Sequence, residues 1–356
     1  MKQVAIIGTQ GVPAKYGGFE SLVENIIGDN CSPGVHYTVF CSGKDYDVRL
    51  REYKGATLRY VPLHANGVQS TPYDILSLMR TISGYDAIVV LGVSGCLFLP
   101  VFRLLCRKRL VVNIDGLEHK RAKWGRFAKW FLRTSEAMAV RCADVVVADN
   151  KGIQDYVRVT YHKDAALIAY GGDHVLRDVP HERQMEVLHS YGIEPNGYAV
   201  TVCRIEPENN THVILKAFAD AGYPLLFIGN WERSEYGRQQ KARYSRCANI
   251  HLADAVYDLD ILYSLRNNCS CYVHGHSAGG TNPSLVEAMF FGKPIIAYDV
   301  IYNRETTDNK AAYFKDIAEL VGILLHVKEL DGASLHEYAM QHYTWRHIAR
   351  QYEALY

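Results

Sequence analysis

Short apolar runs recur along the chain, each followed by a glycine-bearing turn and then a segment with helical spacing of its apolar positions. Residues 4–7 (VAII), 36–41 (HYTVFC), 56–61, 87–91, 110–112, 143–148 and 166–169 read as strands of a first half. Residues 198–203, 225–228, 250–253, 271–274 and 295–297 read as strands of a second. Between them, residues 71–83, 97–106, 120–141, 183–191 and 259–267 have helical patterns, and residues 336–356 read as one last helix. Strand and helix alternate every 25 to 35 residues or so, which predicts an α/β fold of doubly wound parallel sheets. A chain of 356 residues is long enough for two such domains, placed at 1–178 and 179–338, with residues 339–356 as a closing helix.

The stretch CYVHGHSAGGTNPSLVEAMFFGKPIIAY, residues 271–298, runs strand, glycine loop, helix, turn, strand. Asn282 or Thr281 can cap the helix, and Pro283 fits its first turn, where a missing N–H costs nothing. Unpaired N–H groups and the helix dipole together make such a loop a cradle for phosphate, with Gly279 and Gly280 allowing close approach. Glu287 lies one turn in, within reach of a sugar hydroxyl. An ordinary βα turn of a parallel sheet has the same outline. Residues 8–20 repeat the pattern, and there Lys15 is either a cation for phosphate or acceptor or a solvated loop lysine. Asp115, Glu118 and His119 sit at the C-terminal end of the strand 110–112, where open α/β sheets bind ligands. Asp115 could equally cap the helix that follows, or do both.

Composition adds limits. Charged residues at 22% and hydrophobic residues at 48% are those of a globular protein, and a net charge of +1 argues against a general nucleic-acid binder. Nine scattered cysteines read as reduced, buried thiols. Cys269 and Cys271 lie near His274 and His276 but lack a second pair at ligand spacing, so core packing is the preferred reading. No signal peptide precedes the first strand, and the longest apolar run, 87–93, falls well short of the ~20 residues that span a bilayer. Residues 120–141, KRAKWGRFAKWFLRTSEAMAVR, interleave bases with aromatics. Lys120, Arg121, Trp124, Phe127 and Trp130 are candidates for contact with an anionic leaflet; the alternative is an apolar stripe packed on the sheet.

The motifs GGTNPSLVEAM and FGKPIIA resemble the nucleotide-sugar signature of retaining GT-B glycosyltransferases of family 4. GVPAKYGGFE and RIEPENN are similar to a bacterial rhamnosyltransferase branch of that family. The resemblance implies two Rossmann-like domains facing a central cleft, with the last helix crossing back to the first domain. It implies that Gly17 and Gly18 bring N–H groups to the diphosphate and that Lys15, Tyr16, Glu118 and His119 serve the acceptor. Arg204 becomes the main diphosphate cation, and Asp115 faces the donor sugar; with Glu287 these are the expected catalytic residues. Donor contacts are expected from Asn209, His276, Gly279, Gly280, Thr281 and Asn282 as well. The tail of the strand 250–253, near Ala255, would flank the base.

This chain departs from the family at two places: Gly279 stands at the first glutamate of the Glu-x7-Glu pair, and Asn209 at a usual lysine. Lys15 is one possible substitute for that lysine. The expected reaction is metal-independent transfer with retention, from dTDP-rhamnose to a polyprenyl-diphosphate-linked saccharide, at the inner face of the cell membrane. A UDP- or GDP-sugar donor is the alternative within the class. A sugar-nucleotide epimerase, a phosphorylase-like enzyme and an inactive scaffold subunit are the rivals outside it.

Overall fold

The structure, a computed structural model, describes residues 1–15, 17–120 and 124–356. The chain forms two compact units: Met1–Tyr170 with Trp345–Tyr356, and Gly171–Thr344.

The first unit is built on β1 (Lys2–Ile7), β2 (Val35–Ser42), β3 (Glu52–Tyr53), β4 (Ala56–Val61), β5 (Ala87–Leu91), β6 (Arg109–Asn113), β7 (Val145–Ala148) and β8 (Ala165–Leu167). They lie in the order β3-β4-β2-β1-β5-β6-β7-β8, parallel throughout except for the antiparallel pair β3–β4. The small strand β3 escapes the sequence reading because two residues give no periodicity, so residues 145–148 form the seventh strand rather than the sixth. Val4 to Ile7 are fully buried, and burying each of Val4, Ile6 and Ile7 is worth roughly 1.5–3 kcal/mol.

The second unit carries β9 (Ala199–Val202), β10 (Leu225–Ile228), β11 (Ile250–Ala253), β12 (Cys271–His274), β13 (Ile295–Tyr298) and β14 (Ala312–Phe314). Their order is β11-β10-β9-β12-β13-β14, all parallel. Both sheets therefore reverse direction of build beside a central strand, at β1/β5 and at β9/β12. Those switch points open a crevice at the strands' C-terminal ends. The loops after β9 and β12 are the two that carry Arg204 and the glycine run.

Two predicted helices need correction. The last one is two helices, Ala333–His342 and Trp345–Glu353. The break falls where the chain leaves the second unit: Tyr343 turns out of helical geometry and donates its hydroxyl to Thr306 O at 3.0 Å. Trp345, Ile348, Ala349 and Tyr352 then join the core of the first unit. The basic–aromatic helix spans Arg126–Cys142, not 120–141; Lys120 ends a separate short turn, Glu118–Lys120, and Gly125 is the N-cap. Its buried residues are Ser135, Glu136, Ala139 and Val140, all in the C-terminal half. Phe127 and Trp130 in the other half are 78% and 62% exposed, so this part of the stripe is not packed on the sheet.

Candidate active site

In the second unit the loops after β9 and β12 are laced together. Ser277 donates through both N–H and Oγ to Glu208 O, each at 2.9 Å, and Asn210 Nδ2 donates to Gly275 O at 2.8 Å. Gly275 is required here, because a Cβ would lie 2.2 Å from Asn209 O. Asn209 is 3% exposed. Its Nδ2 donates to Arg204 O at 2.6 Å, and its Oδ1 faces His276 Nδ1 at 2.6 Å. The amide orientation fixes the tautomer: an acceptor at Oδ1 requires His276 to carry a proton on Nδ1. His276 O in turn accepts from Asn303 Nδ2 at 2.9 Å. Asn209, expected among the donor contacts, forms a buried tie that sets the Arg204 loop against the glycine loop. The half-buried Arg204 makes no ion pair among the described residues.

The glycine run ends in the helix Pro283–Met289. Asn282 caps it, accepting from Ser284 N at 3.0 Å, and no acidic residue lies in its first turn. Thr281 is buried, Gly280 adopts φ +94°, and Gly279 is half-buried. Glu287 is held from behind: Arg266, 4% exposed, pairs with its Oε2 at 2.8 Å, while His174 Nε2 lies 3.6 Å from Oε1. An aligned carboxylate with one oxygen fixed by a guanidinium is oriented to accept from a ligand hydroxyl. Arg266 and His174 were invisible in the sequence, since each lies far from Glu287 along the chain. His274, at the end of β12, is buried with no hydrogen-bond partner for Nε2 among the described residues; burial, with the nearby His276, pushes its pKa down to about 3.

The first unit's glycine loop is arranged differently. Gly17 is the N-cap of the helix Gly18–Ile26 at φ +131°, and a Cβ there would lie 1.9 Å from Glu20 Oε2. Glu20 Oε1 accepts from Thr9 Oγ1 at 2.9 Å and Gln10 N at 2.7 Å. Glu24 accepts from Ala14 N, Tyr53 OH and Lys54 Nζ. Burial would raise the Glu24 pKa, but Lys54, Tyr53 and the Ala14 N–H outweigh it and hold it below the usual range. Lys15 Nζ donates to Asp45 O at 2.7 Å and lies over the Tyr46 ring. Tyr16 lies outside the described residues.

At the end of β6, Asp115 has φ +61°, a conformation costly for a residue with a Cβ, and its N–H donates to Asn113 Oδ1 at 2.9 Å. Gly125, not Asp115, caps the next long helix. Glu118 accepts from Trp124 Nε1 at 3.0 Å. His119 Nδ1 lies 3.0 Å from Glu136, a buried carboxylate that also accepts from Tyr156 and Tyr161 hydroxyls at 2.8 and 2.7 Å. Burial pushes the Glu136 carboxyl up, and the donors His119, Tyr161 and Tyr156 more than reverse this. Such a carboxylate fixes the imidazole's orientation, and Glu136, Tyr156 and Tyr161 were missed because the bonds span 17 to 25 residues. Lys120 Nζ lies over the Tyr156 ring, and Arg121 falls outside the described residues.

A recess of about 480 Å3 beside β11 is lined by Ser190, Tyr191, His251 and residues 253–256, which include Ala255. Among the described residues no three His, Cys, Asp or Glu side chains gather as a metal set. Cys269 and Cys271 are buried thiols whose pKa values burial raises.

Two parallel-sheet α/β units of this kind match the fold of solved GT-B glycosyltransferase structures. Residues 189–326 match the family model described as glycosyl transferases group 1. Residues 1–173 match a domain of unknown function, DUF1972. No curated protein matches the chain. Among solved structures, the chain is similar to sucrose-phosphate synthase from Thermosynechococcus elongatus, with a TM-score of 0.82 at 16% identity, covering 100% of this chain and 98% of that one. It is also similar to HepE from Anabaena in complex with UDP and glucose (0.77, 16%, covering 99% and 98%). The catalytic domain of starch synthase IV from Arabidopsis thaliana bound to ADP and acarbose gives 0.72 at 13%, covering 99% and 98%. At these identities the likeness establishes the fold.

Proposed function

We propose that the protein is a retaining, metal-independent glycosyltransferase that moves L-rhamnose from dTDP-rhamnose to a lipid-linked saccharide at the cytoplasmic face of the cell membrane. The observation that carries this reading is the Arg204 loop laced to the glycine loop, with a cation that pairs with no carboxylate among the described residues. A fixed guanidinium suits a leaving diphosphate whose charge grows in the transition state. Arg204, with N–H groups at Gly279, Gly280 and Thr281, holds the diphosphate, and Glu287 takes a hydroxyl of the nucleotide's sugar. The bond from the anomeric carbon to the diphosphate oxygen breaks as the acceptor oxygen bonds to the same face. The acceptor's proton passes to the departing phosphate oxygen. Asp115 and His119 serve the sugar and the acceptor, and Trp124, Phe127 and Trp130 hold the enzyme at the membrane.

A UDP-glucose donor is the second reading, favoured by the HepE structures with UDP and UDP-glucose. A thermal-shift panel of dTDP, UDP, GDP and ADP in EDTA separates the two, since a ligand at 100 times its Kd stabilises by about 2.7 kcal/mol. The chemistry is tested by release of nucleoside diphosphate with donor and acceptor present. Arg204→Ala should lower turnover by about two orders of magnitude. A variant within about threefold of wild type overturns the assignment of Arg204.

A further inference from the structure

Large apolar side chains exposed on a folded surface mark contact sites, and here two groups of three lie along two neighbouring helices and the turn before the longer one. Val101, Leu104 and Leu105, at 50%, 84% and 59% exposure, share one face of the helix Leu99–Leu105. Trp124, Phe127 and Trp130 belong to the segment that opens the helix Arg126–Cys142. The two helices run side by side in the same direction. Leu97 N donates to Ser135 Oγ at 3.1 Å, and further along Arg103 Nε donates to Cys142 O at 2.8 Å. The leucines therefore extend the apolar surface alongside the C-terminal half of the longer helix, whose N-terminal half bears the aromatics.

Charge selects the occupant. Residues 97–142 contain eleven Lys and Arg against three Asp and Glu, in a chain whose total is +1. Of the three acids, Glu136 is buried beneath His119 and Glu118 is tied to Trp124. Arg107, Lys108, Arg126, Arg133 and Arg141 are exposed on the same two helices or just beyond them. Exposed apolar and aromatic side chains on a segment rich in exposed bases fit the boundary between acyl chains and anionic headgroups. A second copy of this chain would set base against base.

We propose that the helix Leu99–Leu105 is a second membrane contact, so that the first unit lies on an anionic bilayer through two helices, not one. This rests on the reading of a membrane-borne acceptor given above. The longer helix supplies aromatic anchors and the shorter one inserts Leu104 and Leu105.

The test is co-sedimentation of the full chain with vesicles of phosphatidylcholine containing phosphatidylglycerol, against phosphatidylcholine alone. The wild type should bind the anionic vesicles, less so at high salt. Leu104→Ser/Leu105→Ser should weaken partitioning about tenfold or more, as should Trp130→Ser. A leucine variant that binds like the wild type overturns the second contact, and equal binding to neutral vesicles overturns the charge argument. A dimer at equilibrium sedimentation that the leucine substitutions dissociate would assign the surface to self-association instead. The nucleotide thermal shift without vesicles checks the fold of each variant. Because it reads the donor site alone, failure there and failure here are distinguishable.

Discussion

The protein contains the same local pattern twice: strand, glycine loop, helix N-terminus. After β1 the pattern is closed on itself. Glu20 and Glu24, carboxylates of the helix, accept from Thr9, Gln10 and Ala14 of the loop, and Glu20 lies against Gly17. After β12 the pattern has a neutral cap, no acid in the first turn and an arginine loop bonded alongside. A helix start already answered by carboxylates repels a diphosphate, whereas one with a neutral cap and a nearby guanidinium attracts it. The difference teaches that an anion cradle is defined by which acids fold back onto it, not by its glycines.

The comparison can be broken by altering each loop in turn. The largest effect on stability is expected from Gly17→Ala. Its backbone conformation and the Glu20 carboxylate both oppose a Cβ, so unfolding in urea should show a loss of about 1–3 kcal/mol. Nucleoside diphosphate affinity of the folded protein should stay within twofold; a large loss would place the diphosphate at Gly17 after all. In the second loop, Asn209→Ala removes the tie between Arg204 and His276. Turnover should fall about tenfold, with little change in melting temperature if the surrounding backbone bonds of Ser277 hold.

The third effect is the pH response. His274 has its folded pKa depressed to about 3, against about 6.5 when unfolded. Between those values the unfolded chain binds the extra proton, so stability is full above about 6.5 and declines as pH falls, by at most about 1.4 kcal/mol per unit. Glu24, with its pKa lowered, contributes stability above its ordinary carboxylate range that is lost only as pH falls through its folded value. Acidification from pH 7 to 5 should therefore weaken the second loop's unit before the first's. His274→Gln should flatten the decline in urea midpoint, and an unchanged slope would remove His274 as its source.

The strands were legible because each is a short run rich in apolar residues set between polar turns: 56–61, 87–91, 225–228, 250–253 and 271–274 match β4, β5, β10, β11 and β12 residue for residue. Asn282 as cap and Pro283 at the first turn were legible for the same local reason. The electrostatics were not. The Asn209–His276 tie spans 67 residues, and the Arg266–Glu287 pair joins two different helices. The acids that close the first loop come from a helix whose pattern advertised only its apolar face. The exposed half of the helix Arg126–Cys142 was ambiguous because an apolar stripe looks alike whether it meets a sheet or a lipid.

The most direct measurement is calorimetric titration of dTDP and UDP, in EDTA, into the wild type, Arg204→Ala and Lys15→Ala. If the second loop is the cradle, Arg204→Ala weakens the preferred nucleotide by tenfold or more, about 1.4 kcal/mol, and Lys15→Ala changes it less than twofold. Lys15→Ala causing the larger loss, with Arg204→Ala binding like the wild type, would contradict the account.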